Sequence, residues 1–184
     1  MIRPVPLFLA AALLAGVWLP PWEGLIGPFP AHMLRHIVLV ALAAPALVLA
    51  APGIAARLAP PVLLAAAVEA VVVWGWHLPH LHHLAMGSAA VFVAEQALFL
   101  AVGWAVWAGA LTAAVPLAGS GGLLLTSMHM TLLGAVLILA PRALYGAEMA
   151  GQQAGGVLML AIGTPAYLVG GLRLAAVSLR EGAA

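Results

Sequence analysis

The stretch Val71-Val72-Val73-Trp74-Gly75-Trp76-His77-Leu78-Pro79-His80-Leu81-His82-His83 closes an apolar run that begins at Pro60-Pro61. The run is about long enough to cross a bilayer as a helix. Pro79 ends it, because proline has no N–H to donate and its ring collides with the preceding turn. Four of the chain's seven histidines lie between positions 77 and 83. An imidazole gains nothing from hydrocarbon, so their position at the end of a span asks for a chemical role.

The rest of the chain has the same apolar character. Of its 184 residues, 66% are hydrophobic and 6% charged, and the mean hydropathy is +1.19. Soluble domains carry about 25% charged residues. The composition therefore reads as one all-α integral membrane domain over residues 1–184, with the lipid bilayer as its surroundings. A formal net charge of +1 and the lack of any Lys/Arg run argue for no nucleic-acid partner. Cysteine is absent, which removes disulfides, thiolate metal sites, iron–sulfur clusters and Cys nucleophiles. A transition-metal site must use His, Met, carboxylate or water, donors that suit copper, zinc, iron or haem.

Hydropathy divides the chain into six expected spans, roughly 4–19, 31–50, 60–77, 88–111, 122–140 and 155–179. No small-x-small cleavage site precedes Pro20-Pro21-Trp22, so the first reads as a retained helix rather than a signal peptide. Pro20, Pro21, Pro28 and Pro30 predict a stiff, non-helical loop after it. Arginine marks cytoplasmic loops. With both termini cytoplasmic, Arg3, Arg57, Arg173 and Arg180 fall on that face and only Arg142 in an outer loop. His32, His36, His77, His80, His82, His83, Glu95, Gln152 and Gln153 then gather in the outer half. His129 is expected near mid-depth, pointing towards them. Small residues four apart, such as Ala166 and Gly170, are expected to let helix backbones approach.

His32 and His36 share one helical face, one turn apart, so a single helix can offer two ligands to one ion. The zinc-protease pattern needs Glu after the first His; Met33 stands there, which excludes it. His77 and His80 are three apart, with Glu69 and Val73 extending the same face inward. His82 and His83 read as loop residues, solvated or supporting rather than ligating, that anchor the helix at the headgroups beside Trp74 and Trp76. Glu95 is an ionisable group inside a span, a functional candidate by its cost in lipid, with an ion pair to Arg35 as the structural alternative. Glu69 lies deeper, with Arg173 as its only evident partner. His129 sits between Met128 and Met130, and thioether sulfur is a soft ligand that favours Cu(I). Successive helical residues are about 100° apart, so only one of the two methionines can face the same point as His129. The candidate metal set is thus His32, His36, His77, His80, Glu95, His129, Met128 and Met130. Its bland counterpart is interhelical hydrogen bonding, worth about 0.6 kcal/mol per bond in membrane bundles.

Five blocks carry a family resemblance. They are His32-Met-Leu-Arg-His36, Trp76-His77-Leu-Pro79-x-Leu81, Glu95-Gln-x-x-Phe99-Leu100, Met128-His129-x-x-Leu-Leu133-Gly134, and Leu144-Tyr145 followed by Gln152-Gln153-x-Gly155-Gly156. In this order they resemble the CtaG-type assembly factors of caa-type cytochrome c oxidase. The resemblance implies a role in maturing a haem–copper oxidase of a bacterial inner (plasma) membrane, with copper delivered on the outer side. It implies the oxidase subunits as partners, and His32, His36, His77, Glu95 and His129 as the residues at the family's motif positions. The chain departs from the family at Gln96, where His is common, and at Gly151, where Asp is common.

These readings favour a non-enzymatic metallochaperone holding copper through His and Met. The alternatives are a haem-b electron carrier, clamped axially by His residues from two helices, and a structural accessory subunit without metal. A homo-oligomer is compatible with each. A hydrolase ranks last, for want of a nucleophile–base pair or an HExxH motif.

Overall fold

Pro4, Pro28, Pro52, Pro79 and Pro116 each open a helix, in the one turn where a missing N–H costs nothing. The computed structural model describes residues 1–146 and 148–181, and among these every regular element is helical. In chain order they are α1 (Pro4–Trp18), α2 (Trp22–Ile26), α3 (Pro28–Ala50), α4 (Pro52–Leu58), α5 (Val62–Trp76), α6 (Pro79–Gly87), α7 (Ala89–Leu111), α8 (Pro116–Leu139) and α9 (Met149–Glu181). Four of them, α3, α7, α8 and α9, are long and apolar enough to cross a membrane. The pair α4 and α5, bent by 89° at their break, would make a fifth. The apolar helix α1 has 15 residues, about 22 Å at 1.5 Å per residue.

Helices α1, α5, α7 and α8 show little amphipathic periodicity, because both the lipid and the core are apolar. Phe8, Leu63, Val71, Val93, Leu132 and Leu172 point outward. What distinguishes α3 is enclosure: its apolar window is 72% buried, against 22–44% for the other three long helices. It is the hub, and the other helices hold its histidines.

Two ends of the bundle can be told apart by their contacts. At one, the Arg3 amide donates to Ala50 O at 2.7 Å, and a Cβ on Gly109 would come within 2.7 Å of Pro60 O. At the other lie the start of α3, the end of α5, the start of α7 and the start of α9. There Gln152 Nε2 donates to Leu137 O at 3.0 Å. Close backbone approach is real, and its sites include Gly103 against Val40, Gly109 against Pro60, Gly119 against Ala110 and Gly134 against Gly156. Gly170, by contrast, makes room for the Trp107 ring rather than for another backbone.

Three expectations are corrected. The proline-rich connection after α1 contains the short helix α2, since Pro20 and Pro21 precede it while Pro28 and Pro30 fall in the first turn of α3. His80, His82 and His83 lie on helix α6, which Pro79 starts as readily as it stops α5. Finally, α8 and α9 begin six residues earlier than expected (116 against 122, 149 against 155), because their first turns are glycine-rich and polar rather than non-helical.

Both π-helical segments, Val38–Ala43 in α3 and Met159–Gly163 in α9, precede a proline by two residues. The Ala44 N–H bonds back to Leu39 O, so the next N–H in that register would belong to residue 45. That residue is proline, which has none. Val40 O is thereby released from the helix ladder. It accepts instead from Trp107 Nε1 and lies 3.0 Å from Tyr167 Oη.

Candidate metal centre

The turn spacing of α3 places His32 and His36 on one buried face, their ring centroids 4.3 Å apart. Glu95, six residues into α7 and fully buried, meets both. Its Oε1 lies 3.2 Å from His32 Nε2 and 3.4 Å from His36 Nε2, and its Oε2 accepts from Gln96 Nε2 at 3.1 Å. One ligand atom from each of His32, His36 and Glu95 fits within 4.8 Å of the others. Among the described residues this is the one group of three His or carboxylate side chains so disposed. Phe99, one turn beyond Glu95, stacks on His36 at 3.7 Å and closes the floor. Arg35 is not the partner of Glu95. It turns away to Glu23, at 2.6 Å, and lies over the Trp18 ring.

The trio is not a satisfied hydrogen-bond cluster. His32 Nδ1 and both nitrogens of His36 are buried and have no hydrogen-bond partner. Leaving such groups bare costs about 1–3 kcal/mol each. Bare imidazole nitrogens around a carboxylate are the donor set a cation such as copper or zinc would use, so the residues fit a metal ion.

His77 stands beside the trio as the C-cap of α5, its ring 5.7 Å from that of His36. Its Nδ1 donates to Val73 O at 2.7 Å, its Nε2 lies 3.3 Å from Met33 Sδ, and its own carbonyl accepts from Tyr145 Oη at 2.7 Å. The buried His82 ring on α6 packs 4.8 Å from His32 and 4.9 Å from Tyr145. Desolvation, and then the neighbouring His32, push His82 down to about 4, so at neutral pH it is an uncharged imidazole. Burial pushes the Tyr145 hydroxyl up to about 12. A cavity of about 710 Å³, lined by Phe29, His82, His83, Tyr145 and Glu148, opens beside this group. A second, of about 300 Å³, touches His32, Arg35 and Phe92.

The remaining candidates lie elsewhere. His80 is exposed on α6. Met128 is 68% exposed, and Met130 is buried in the core near Gly163. His129 is ten residues below the end of α8 and faces Glu69, with Nε2 3.9 Å from Oε2. Glu69 Oε1 in turn lies 2.6 Å from Tyr167 Oη. This group sits on the His77 face of α5 but eight residues deeper, about 12 Å along the axis. Of the expected set, the structure thus gathers His32, His36, His77 and Glu95 at one end, places His129 with Glu69 in mid-bundle, and leaves His80, Met128 and Met130 outside both groups. Sequence reasoning gave Met33 and Phe99 no place at the site, and it read His82 as solvated where the ring is buried. The available signal was spacing, since Met33 adjoins His32 and Phe99 follows Glu95 by one turn.

The model of the cytochrome c oxidase caa3 assembly factor (Caa3_CtaG) family matches residues 3–181. No match was found among curated proteins or among solved structures. The match covers nearly the whole chain and includes every residue of both polar groups, so this chain belongs to the cytochrome c oxidase caa3 assembly factor family.

Proposed function

We propose that the chain is a non-enzymatic copper carrier for oxidase assembly. The metal is its cargo, held by His32, His36 and Glu95 with His77 alongside, and passed to a subunit of the oxidase. The observation that carries this reading is the convergence of three ligand atoms within 4.8 Å, with bare buried nitrogens around them. To bind through Nε2, His32 would carry its single proton on Nδ1 instead, exchanging the Nε2 contact with Glu95 for the metal. The cavity beside His82 and His83 supplies the approach.

We read the fold as one membrane domain of six spans, with α1 and the bent α4–α5 pair each crossing once and both termini cytoplasmic. Arg3 and Arg57 lie at the end of the bundle away from the histidines, and Arg173 and Arg180 are on the last turns of α9. By the positive-inside rule the metal centre then faces the outer side of a bacterial plasma membrane.

The test is metal analysis and an absorption spectrum of the detergent-purified protein, with the His36→Ala/Glu95→Gln double variant beside it. Copper near one per chain in the wild type, lost in the variant, is the expected result. A Soret band would replace this reading with a haem carrier. A metal-free protein that takes up no added copper would leave a structural accessory subunit.

A further inference from the structure

The contact between His77 and Met33 has no proton to hold it together. Val73 O can only accept, so the 2.7 Å contact requires the proton on His77 Nδ1. In a neutral imidazole that leaves Nε2 with a bare lone pair, and it points at Met33 Sδ 3.3 Å away. Thioether sulfur also offers only lone pairs. Two electron-pair donors therefore face each other in a buried site, with no hydrogen between them.

Neither group is there through slack. His77 is fixed at Nδ1 by Val73 and at its carbonyl by Tyr145. Met33 is 1% exposed and packs against the backbone of Gly155. With metal–nitrogen bonds of about 2.0 Å and metal–sulfur bonds of about 2.3 Å, a 3.3 Å separation subtends roughly 100° at a shared ion. That angle suits a trigonal or tetrahedral soft ion. His36, three residues after Met33 on the same helix, is the nearest further imidazole, and both its nitrogens are free of hydrogen bonds.

Charge points the same way. A univalent ion beside the Glu95 carboxylate gives a neutral buried centre, whereas a divalent ion leaves a net positive charge, which is costly without water. We propose that Met33 Sδ and His77 Nε2 form the soft half of the centre and make it selective for univalent copper. This rests on the copper reading above and adds the oxidation state and a ligand.

The experiment is X-ray absorption on the wild-type protein loaded with Cu(I) under anaerobic, reducing conditions. It is paired with competition titrations of Cu(I) and Zn(II) against chromogenic chelators, in wild type and in Met33→Leu, a change that nearly conserves volume. The expected results are a sulfur scatterer at about 2.3 Å that is absent from the variant, and a Cu(I)-over-Zn(II) preference that falls at least about tenfold. A wild-type spectrum with only nitrogen and oxygen neighbours would overturn the soft half-site while leaving copper binding intact. So would an unchanged preference in the variant. A wild-type protein that takes up no copper would sink both readings. The wild-type spectrum decides the matter even if Met33→Leu fails to fold.

Discussion

Gly155 lies directly against Met33: a Cβ on Gly155 would come within 2.8 Å of Met33 Cγ and 2.6 Å of Phe29 Cε1. The block Gln152-Gln153-x-Gly155-Gly156 thus packs against the candidate metal centre through Met33 and Phe29 without offering it a ligand. We expect Gly155→Ala to disturb the centre from outside it. Overpacking costs about 1–3 kcal/mol, and the gain in helix propensity returns at most about 1 kcal/mol. The net expectation is a loss of up to about 2 kcal/mol, with weaker copper binding. Gly121→Ala is the control, since nothing lies within 4 Å of its Cβ, and it should be neutral or slightly stabilising. Thermal unfolding in detergent with a copper titration checks both. Equal behaviour of the two variants would remove Gly155 from the account.

Glu95 is the one carboxylate shared by His32 and His36. Glu95→Gln keeps the shape and removes the charge. Copper affinity should fall by more than the ~10–100-fold that loss of an outer partner costs, while the helical content is retained. Circular dichroism and a chelator competition would show this. Undiminished affinity in a folded variant would mean that the trio is not the site.

The Glu23–Arg35 pair pins α2 to α3 at 2.6 Å. The backbone N–H at Glu23 first, and Arg35 second, hold the Glu23 carboxyl below its ordinary value of 4.5. A depressed folded value means stabilisation that is present above the unfolded value and lost as pH falls through the folded one. The wild type should therefore exceed Glu23→Gln in stability at pH 7, by no more than ~1 kcal/mol because Glu23 is half exposed. The difference should close as the pH drops below 4.5. Melting curves of both proteins across that range test it, and a gap that widens on acidification would contradict it.

Tyr167 joins Glu69 to Val40 in the middle of the bundle. Tyr167→Phe leaves Glu69 Oε1 without its hydroxyl, although Val40 O keeps Trp107. A bare buried acceptor costs ~1–3 kcal/mol, and membrane hydrogen bonds average nearer ~0.6, so a loss of about 1 kcal/mol is expected. Copper affinity should not change, because this group lies two turns below His77. A large drop in copper binding would instead link the mid-bundle pair to the centre.

The helices themselves were readable because lipid imposes a single rule: a long apolar run must satisfy its backbone internally. Prolines then marked most boundaries. The π-helical segments were also written in the chain, at Pro45 and Pro165 within apolar runs, yet hydropathy is blind to a missing N–H. The short helices α2, α4 and α6 escaped because each is bounded by proline or glycine, which read equally well as a loop.

By itself, the sequence determined a cysteine-free membrane bundle of an oxidase assembly family, with histidines concentrated at one end. It could not say which histidines meet, since equally apolar helices can rotate about their axes without changing their hydropathy. Tertiary packing made that choice. It turned Glu95 to His32 and His36, sent Arg35 to Glu23, and set His77 against Met33. It also drew His129 down to Glu69, because a polar group enclosed by hydrocarbon settles against whichever polar neighbour the backbone brings within reach.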